Sequence, residues 1–379
     1  MTGPPPQDHL VTAGRVLTPD LMLRPGWVET HGGRIVSVGR GAAPRRPDAE
    51  HPDEVLVPGF VDTHVHGGGG GSFSTTDAAE ARAAAATHLR LGTTSLVASL
   101  VTAPMAELGE QVAVLADLVG HGTLAGIHLE GPWLSPELNG AHDPSGLSTP
   151  TADAVRALLD EGRGTVRMVT LAPELDHGLD AVRLLVGQGV VVAVGHTAAD
   201  HATTRAAVDA GATVATHLFN AMAPLHHRRP GPVLALLEDP RVSVELVVDG
   251  VHLHPSVAAF AARAAAGGFH LVTDAMAAAG APEGLYRLGR RAVLVQHGVA
   301  TLAGAATIAG STLTMHAALL NAVQAGIPLL DAVRAATATP ADRLGLRDVG
   351  TLAPGRAADL VVLTDRLDVV RVMHRGTWL

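Results

Sequence analysis

"VLVPGFVDTHVH", Val55 to His66, is an apolar run that ends in two histidines one residue apart. Such a run reads as a strand buried on both faces, and a spacing of two puts His64 and His66 on the same face. Seven further runs rich in Val, Leu and Thr follow it. They are "TSLVASLV" (Thr94 to Val101), "LAGIHLEG" (Leu124 to Gly131), "VRMVTLAP" (Val166 to Pro173), "VVVAVGHT" (Val190 to Thr197), "ATVATHLFN" (Ala212 to Asn220), "VSVELVVDG" (Val242 to Gly250) and "FHLVTDAM" (Phe269 to Met276). Ala-rich helical stretches lie between them, for example "DAAEARAAAATHLRLG" and "TADAVRALLDEG", with Asp77 and Thr151 placed as N-caps. Strand and helix alternating in this way make a parallel sheet, and eight repeats fit a (β/α)8 TIM-like barrel, a fold of about 250 residues.

The ends read differently. Residues 8 to 56 and 345 to 379 carry Gly and Pro turns between short β-like pieces such as "GRIVSVGR", "ADLVVLT" and "VVRVMHRG". The expectation is an α/β chain in which residues 57–344 form the barrel and residues 1–56 and 345–379 form a small β-sandwich domain from both termini.

Composition narrows the chemistry. The 379 residues are 47% hydrophobic but only 2% aromatic, so the core must be built from Ala, Val and Leu. No apolar run approaches the roughly 20 residues that span a bilayer. The formal charge of −9 argues against a nucleic-acid face, which would have to be basic. Cysteine is absent, which excludes disulfides, thiolate metal sites and cysteine nucleophiles. Lysine is absent too, so two metals could not be bridged by a carbamylated lysine; a carboxylate such as Glu130 is the natural substitute. The N-terminus shows no basic region followed by an apolar stretch, and a cytoplasmic location is expected.

In a barrel of this kind the chemistry sits at the C-terminal ends of the strands. Six of the eight runs end in titratable groups: His64 and His66, Glu130, His196, His217, Asp249 followed by His252, and Asp274. One such residue is ordinarily a loop hydrogen-bonder. Six strands ending this way at one end of one barrel point to a metal centre held by nitrogen and oxygen ligands, which suits Zn²⁺ and also Fe²⁺, Mn²⁺ or Co²⁺. Such a cation lowers the pKa of bound water to about 7, and a carboxylate beside it, as Asp274 would be, can take and return the proton. The expected reaction is metal-assisted hydrolysis. The run Gly67 to Gly71 lacks the Lys and Ser/Thr of a nucleotide-binding loop and reads as a close-packed, mobile turn.

The segments "PGFVDTHVHGGGG", "HLEGPWLSPELNGAH", "VAVGHT", "THLFNAMAPLHHRRPG", "VELVVDGVHLHP" and "LVTDAMAAAG" together resemble the N-acetylglucosamine-6-phosphate deacetylase family of the amidohydrolase superfamily. The resemblance implies that Glu130, His196 and His217 hold the catalytic metal and that Asp274 is the general acid and base. It implies that His142, in "NGAHDP", helps to polarise the acetamide carbonyl, with Ala141 beside it at the substrate. It places Asn220 and Ala221 at the sugar phosphate and Arg228 and His252 at the phosphate. Asp249, Gly250, Val251 and His252, together with Ile308, Ala309 and Gly310, would close around the ligand. His64 and His66 would bear on a second ion, giving one or two divalent ions per subunit, with zinc expected. The family is typically homodimeric, with phosphate-binding groups reaching in from the neighbour. Trp133 and Arg229 depart from the family pattern, which has Phe and an acidic residue there. The reaction implied is hydrolytic release of acetate from N-acetyl-D-glucosamine 6-phosphate. The alternatives are a deacetylase of another N-acetyl-hexosamine phosphate, another amidohydrolase, or a sugar-phosphate-binding sensor without activity.

Overall fold

The computed structural model describes residues 8–379. Eight parallel strands form one sheet: Phe60–Val65, Thr93–Val101, Gly126–Glu130, Val166–Leu171, Val191–Val194, Val214–Ala215, Ser243–Leu246 and Phe269–Leu271, each beside its successor. Its two edges approach where the amide of Asp274 donates to the carbonyl of His64 at 2.8 Å and Val65 bridges to Ala275. The sheet is therefore nearly closed into a TIM-type barrel. A helix follows every strand: Ala78–Arg90, Met105–Gly120, Ala152–Gly162, Gly178–Gly187, His201–Asp209, Gly231–Glu238, Pro255–Ala264 and Met315–Gln324. Their starts follow local chemistry. Thr151 caps the third helix by accepting from the amide of Ala154, and Asp77 accepts from the amide of Ala79 at the first.

The run Val55 to His66 is two strands. Ala49–Pro58 pairs antiparallel with Leu360–Leu363 in a separate sheet, and only Phe60–Val65 belongs to the barrel. Gly59 marks the change, because a Cβ there would lie 2.0 Å from the Thr94 hydroxyl. The second sheet has eight strands, all from the termini, in which His9–Leu17 pairs parallel with Ala49–Pro58 and antiparallel with Gly26–His31. It surrounds one aliphatic cluster that includes Val11, Val28, Ile35, Leu56, Leu360 and Val362, drawn from both ends of the chain.

The chain divides into two compact units: Met1–Asp62, His88–Ser95 and Met315–Leu379, and Thr63–Thr87 with Leu96–Thr314. The second unit holds every candidate site residue. It also contains a three-stranded antiparallel sheet, Gly284–Leu288, Arg291–Gln296 and Val299–Leu302, inserted between the last barrel strand and its helix. The glycine run is a tight hairpin in which Gly67–Gly68 pairs with Gly71–Ser72. Its turn residues Gly69 and Gly70 have φ of 62° and 93°, the conformation such a turn demands. Their amides donate to the carbonyls of Ala279 and Ala277.

Candidate active site

The strand ends bring the titratable residues together. Glu130 Oε1 lies 3.1 Å from His196 Nε2 and 3.0 Å from His217 Nε2. Its other oxygen lies 3.1 Å from His66 Nε2, 3.5 Å from His64 Nε2 and 3.3 Å from His142 Nε2. Asp274 Oδ1 is 3.1 Å from His66 Nε2, while Oδ2 is 3.5 Å from His252 Nε2. Glu130 thus stands between two groups, His196 with His217 and His64 with His66 and Asp274. All of them are buried.

Imidazole nitrogens face one another as well. His64 and His66 meet Nε2 to Nε2 at 3.1 Å, and so do His196 and His217. The hydrogens lie on the far nitrogens of three of these rings. His64 Nδ1 donates to Glu245 Oε2 at 3.0 Å, His66 Nδ1 to the Ser99 carbonyl at 3.2 Å and His196 Nδ1 to the Leu138 carbonyl at 2.9 Å. In the neutral rings the inward nitrogens are therefore lone pairs, beside two carboxylates. That donor set, all nitrogen and oxygen with the outer nitrogens of His64, His66 and His196 anchored, fits a divalent cation.

The electrostatics agree. Burial opposes a charge on His66, but hydrogen bonds to Asp274 and Glu130 outweigh it and raise its pKa to about 9. His64 is likewise raised, against burial, by Glu130 and Glu245. Burial also works against ionised Asp274, yet the hydrogen bond from His66 and the charge of His64 lower its pKa to about 2. Asp274 is a charged base at neutral pH.

His142 is wired differently. Its Nδ1 accepts the backbone N–H of Thr102 at 3.2 Å, which leaves the hydrogen of the neutral ring on Nε2, facing the site. It is placed to donate a hydrogen bond rather than to ligate. Burial and then the charge of His64 push the neighbouring His128 down to about 3, so it is neutral; its ring nitrogens bond Ser99 and Thr170.

Backbone geometry marks the same place. Ten non-glycine residues among those described have positive φ, and five are His196, His217, Phe219, Ala221 and Asp274. Such conformations cost about 1–3 kcal/mol each and persist only where the surroundings enforce them. At Gly310, φ is 65° and a Cβ would lie 3.0 Å from the Asp274 carbonyl.

A cavity of about 350 Å³ opens onto these groups. Ala141, His142, Asn220, Ala221, His252, Ile308 and Gly310 line it. Ala309 is fully buried in an apolar cluster with Met276 and Leu302. Asp249 supports His252: its carboxylate accepts from the amides of Val251 and His252 and from His252 Nδ1, each within 2.8 Å. Gly250 and Val251 are exposed. Arg228 is exposed and lies outside the cavity lining of its own chain. Residues not foreseen include Glu245 and His128 behind the site, Glu137, Leu138 and Gly140 on its wall, and Leu288, Ala306 and Thr307 from the inserted sheet and the loop after it. Glu245 left a trace, a charge in the middle of the run "VSVELVVDG".

The sequence profile of the amidohydrolase family matches residues 55–379. The chain belongs to the amidohydrolase family. Within it, the protein is 37% identical over 377 residues to N-acetylgalactosamine-6-phosphate deacetylase of Escherichia coli O157:H7, covering 97% of this chain and 98% of that one. It is also 37% identical to N-acetylglucosamine-6-phosphate deacetylase of Bos taurus, covering 95% and 91%. Among solved structures, a mutant of N-acetyl-D-glucosamine-6-phosphate deacetylase from Mycobacterium smegmatis in complex with N-acetyl-D-glucosamine-6-phosphate superposes with a TM-score of 0.96. That relative is 50% identical, with 98% of this chain and 99% of the other covered. No helix among the described residues of this amidohydrolase is long and apolar enough to cross a membrane.

Proposed function

We propose that this amidohydrolase deacetylates N-acetyl-D-glucosamine 6-phosphate, giving D-glucosamine 6-phosphate and acetate in amino-sugar catabolism. The observation that carries the proposal is the meeting of Glu130 with His196 and His217 at 3.0–3.1 Å, beside an ionised Asp274 and a donating His142. Glu130, His196 and His217 would hold a divalent cation, which when bound supplies Lewis-acid polarisation of the acetamide carbonyl and makes water acidic enough to react near neutral pH.

The remaining steps fall to the chain's own groups. Asp274 takes a proton from the attacking water as its oxygen bonds to the acyl carbon. His142 Nε2–H donates to the carbonyl oxygen as negative charge builds there, a role that stabilises the transition state more than the bound substrate. Asp274 then delivers the proton to the amine nitrogen as the C–N bond breaks. His252, held by Asp249, bonds the phosphate, and Asn220 and Ala221 lie along the sugar phosphate. Zinc is the proposed ion, with iron, manganese and cobalt chemically acceptable. A second ion would sit with His64, His66 and Asp274, sharing Glu130.

We further propose a homodimer. Arg228 is exposed on its own chain, consistent with its guanidinium reaching a phosphate bound by the partner subunit, where a planar fork suits an anion. A dianionic sugar phosphate does not cross a bilayer unaided, which supports a cytoplasmic enzyme.

The equal identity to an N-acetylgalactosamine-6-phosphate deacetylase favours one rival, the C4 epimer as substrate. Acetate release from the 6-phosphates of N-acetylglucosamine, N-acetylgalactosamine and N-acetylmannosamine, with metal content measured on the same sample, tests both. A higher kcat/KM for the galactosamine compound would replace the first reading, and release from none of them would end both.

A further inference from the structure

Beneath the strand ends, one buried carboxylate belongs to neither metal-holding group. Glu245 lies inside the strand Ser243–Leu246, is 0% exposed, and is flanked by Val244 and Leu246, whose side chains point to the other face. A carboxylate in that position costs several kcal/mol to bury unless donors compensate it. Two donors do so at Oε2: His64 Nδ1 at 3.0 Å and the backbone N–H of His217 at 3.1 Å. The other oxygen has no hydrogen-bond partner among the described residues, the nearest cation candidate being His270 Nε2 at 3.8 Å.

The two donors lie on different halves of the site. His64 clusters with His66 and Asp274, whereas His217 meets Glu130 and His196. By accepting from Nδ1, Glu245 leaves the lone pair of His64 on Nε2, the atom that faces His66 and Glu130. At His217 the outer ring nitrogen has no anchor, since its buried Nδ1 meets no hydrogen-bond partner among the described residues. Its direction rests on its backbone, which turns with φ of 26° and is followed by Phe219 at 78°. Glu245 grips that turn twice, through its carboxylate at His217 N and through its own carbonyl at Leu218 N, 3.0 Å away.

We infer that Glu245 is a positioning residue that aims one ligand of each group, fixing the tautomer of His64 and the strained turn that presents His217, and so couples the filling of the two metal positions. Resting on the metal reading proposed above, the inference goes past it by giving a task to a residue that touches neither cation nor substrate. A carboxylate serving only as buried filler would leave ring tautomers and metal binding alone.

The test compares metal-stripped wild type, Glu245→Gln, Glu245→Leu, His64→Ala and the Glu245→Gln/His64→Ala double variant. Zn²⁺ binding is followed against a competing chelator, and ¹⁵N-histidine spectra of the Zn²⁺-loaded proteins report the tautomer of His64. Glu245→Gln keeps the shape and one acceptor. It should weaken Zn²⁺ binding about 10- to 100-fold, the usual loss when a ligand's supporting partner is removed. The His64 signal should shift away from a pure Nδ1–H form, and Glu245→Leu should lose more than Gln. In the His64→Ala background the effect of Glu245→Gln should shrink to the part carried by His217. Wild-type affinity with an unchanged tautomer in Glu245→Gln overturns the inference while leaving the metal reading in place. Failure of the wild type itself to bind Zn²⁺ or another divalent ion overturns the metal reading, and this inference with it. Should Glu245→Leu fail to fold, the Gln comparison decides alone.

Discussion

The terminal sheet closes around Val11, Val28, Leu56, Leu360 and Val362, side chains that stabilise by area removed from water and by close packing. The end of the barrel instead encloses Glu130, Glu245, Asp274 and six histidines, His64, His66, His128, His142, His196 and His217, which are stable there only because each has a partner. Truncating an aliphatic side chain in the sheet costs what its packing contributed. Removing a partner at the barrel end strands a charge, and what fails first is the direction in which a neighbour points. Stability and chemistry are carried by separate sets of residues, and four measurements put that contrast at risk.

The largest effect is expected for Asp274→Asn. Turnover should fall by about 10²- to 10⁴-fold, the usual worth of a positioned general acid–base, while the metal content stays at the wild-type level. Near-normal acetate release from the metal-loaded variant would remove Asp274 from the mechanism. Next is Leu360→Ala, in the centre of the terminal cluster. Denaturant unfolding should show a loss of about 2–5 kcal/mol, with kcat at 25 °C unchanged; a parallel fall in kcat would tie the sheet to the chemistry and undo the contrast.

Arg228→Ala should raise the apparent KM for the phosphorylated sugar about tenfold and narrow the preference over unphosphorylated N-acetylglucosamine, kcat being little altered. An unchanged preference would take Arg228 away from the phosphate. The smallest effect belongs to Asp239, whose hydrogen bonds from Arg241 lower its pKa to about 2. Because the folded value lies below the unfolded one, near 4, this pair stabilises above pH 4, and the gain is lost as the pH falls through 2. Asp239→Asn should cost at most about 1 kcal/mol at pH 7, since Arg241 is half exposed, and the difference from wild type should shrink toward pH 2 in acid-unfolding curves.

Much of the site was legible one residue at a time. His64, His66, Glu130, His196, His217 and Asp274 each end an apolar run, and a strand buried on both faces has no cheap place for a polar group except at its end. Glu245 escaped that reasoning because it lies inside its run; its burial makes sense only once His64 and the amide of His217 are known to face it. The division of Val55 to His66 into two strands was hidden for a related reason. Apolar periodicity is the same in both sheets, and only pairing with Leu360–Leu363 on one side of Gly59 tells them apart.

Read in order, the residues were enough to name the donor types, nitrogen and oxygen without thiolate or lysine, the count of barrel strands and the end of the barrel where the donors gather. These follow from composition and from the alternation of strand and helix, which are properties of the chain taken in order. Which ring nitrogen of a histidine faces the site depends on the folded packing around it. The hydrogen on His64 is held outward by Glu245, and that of His142 is turned inward by the Thr102 amide, residues 181 and 40 positions away. An imidazole has two nearly equivalent tautomers, and the choice between lone pair and donor belongs to whatever the fold packs against the other nitrogen.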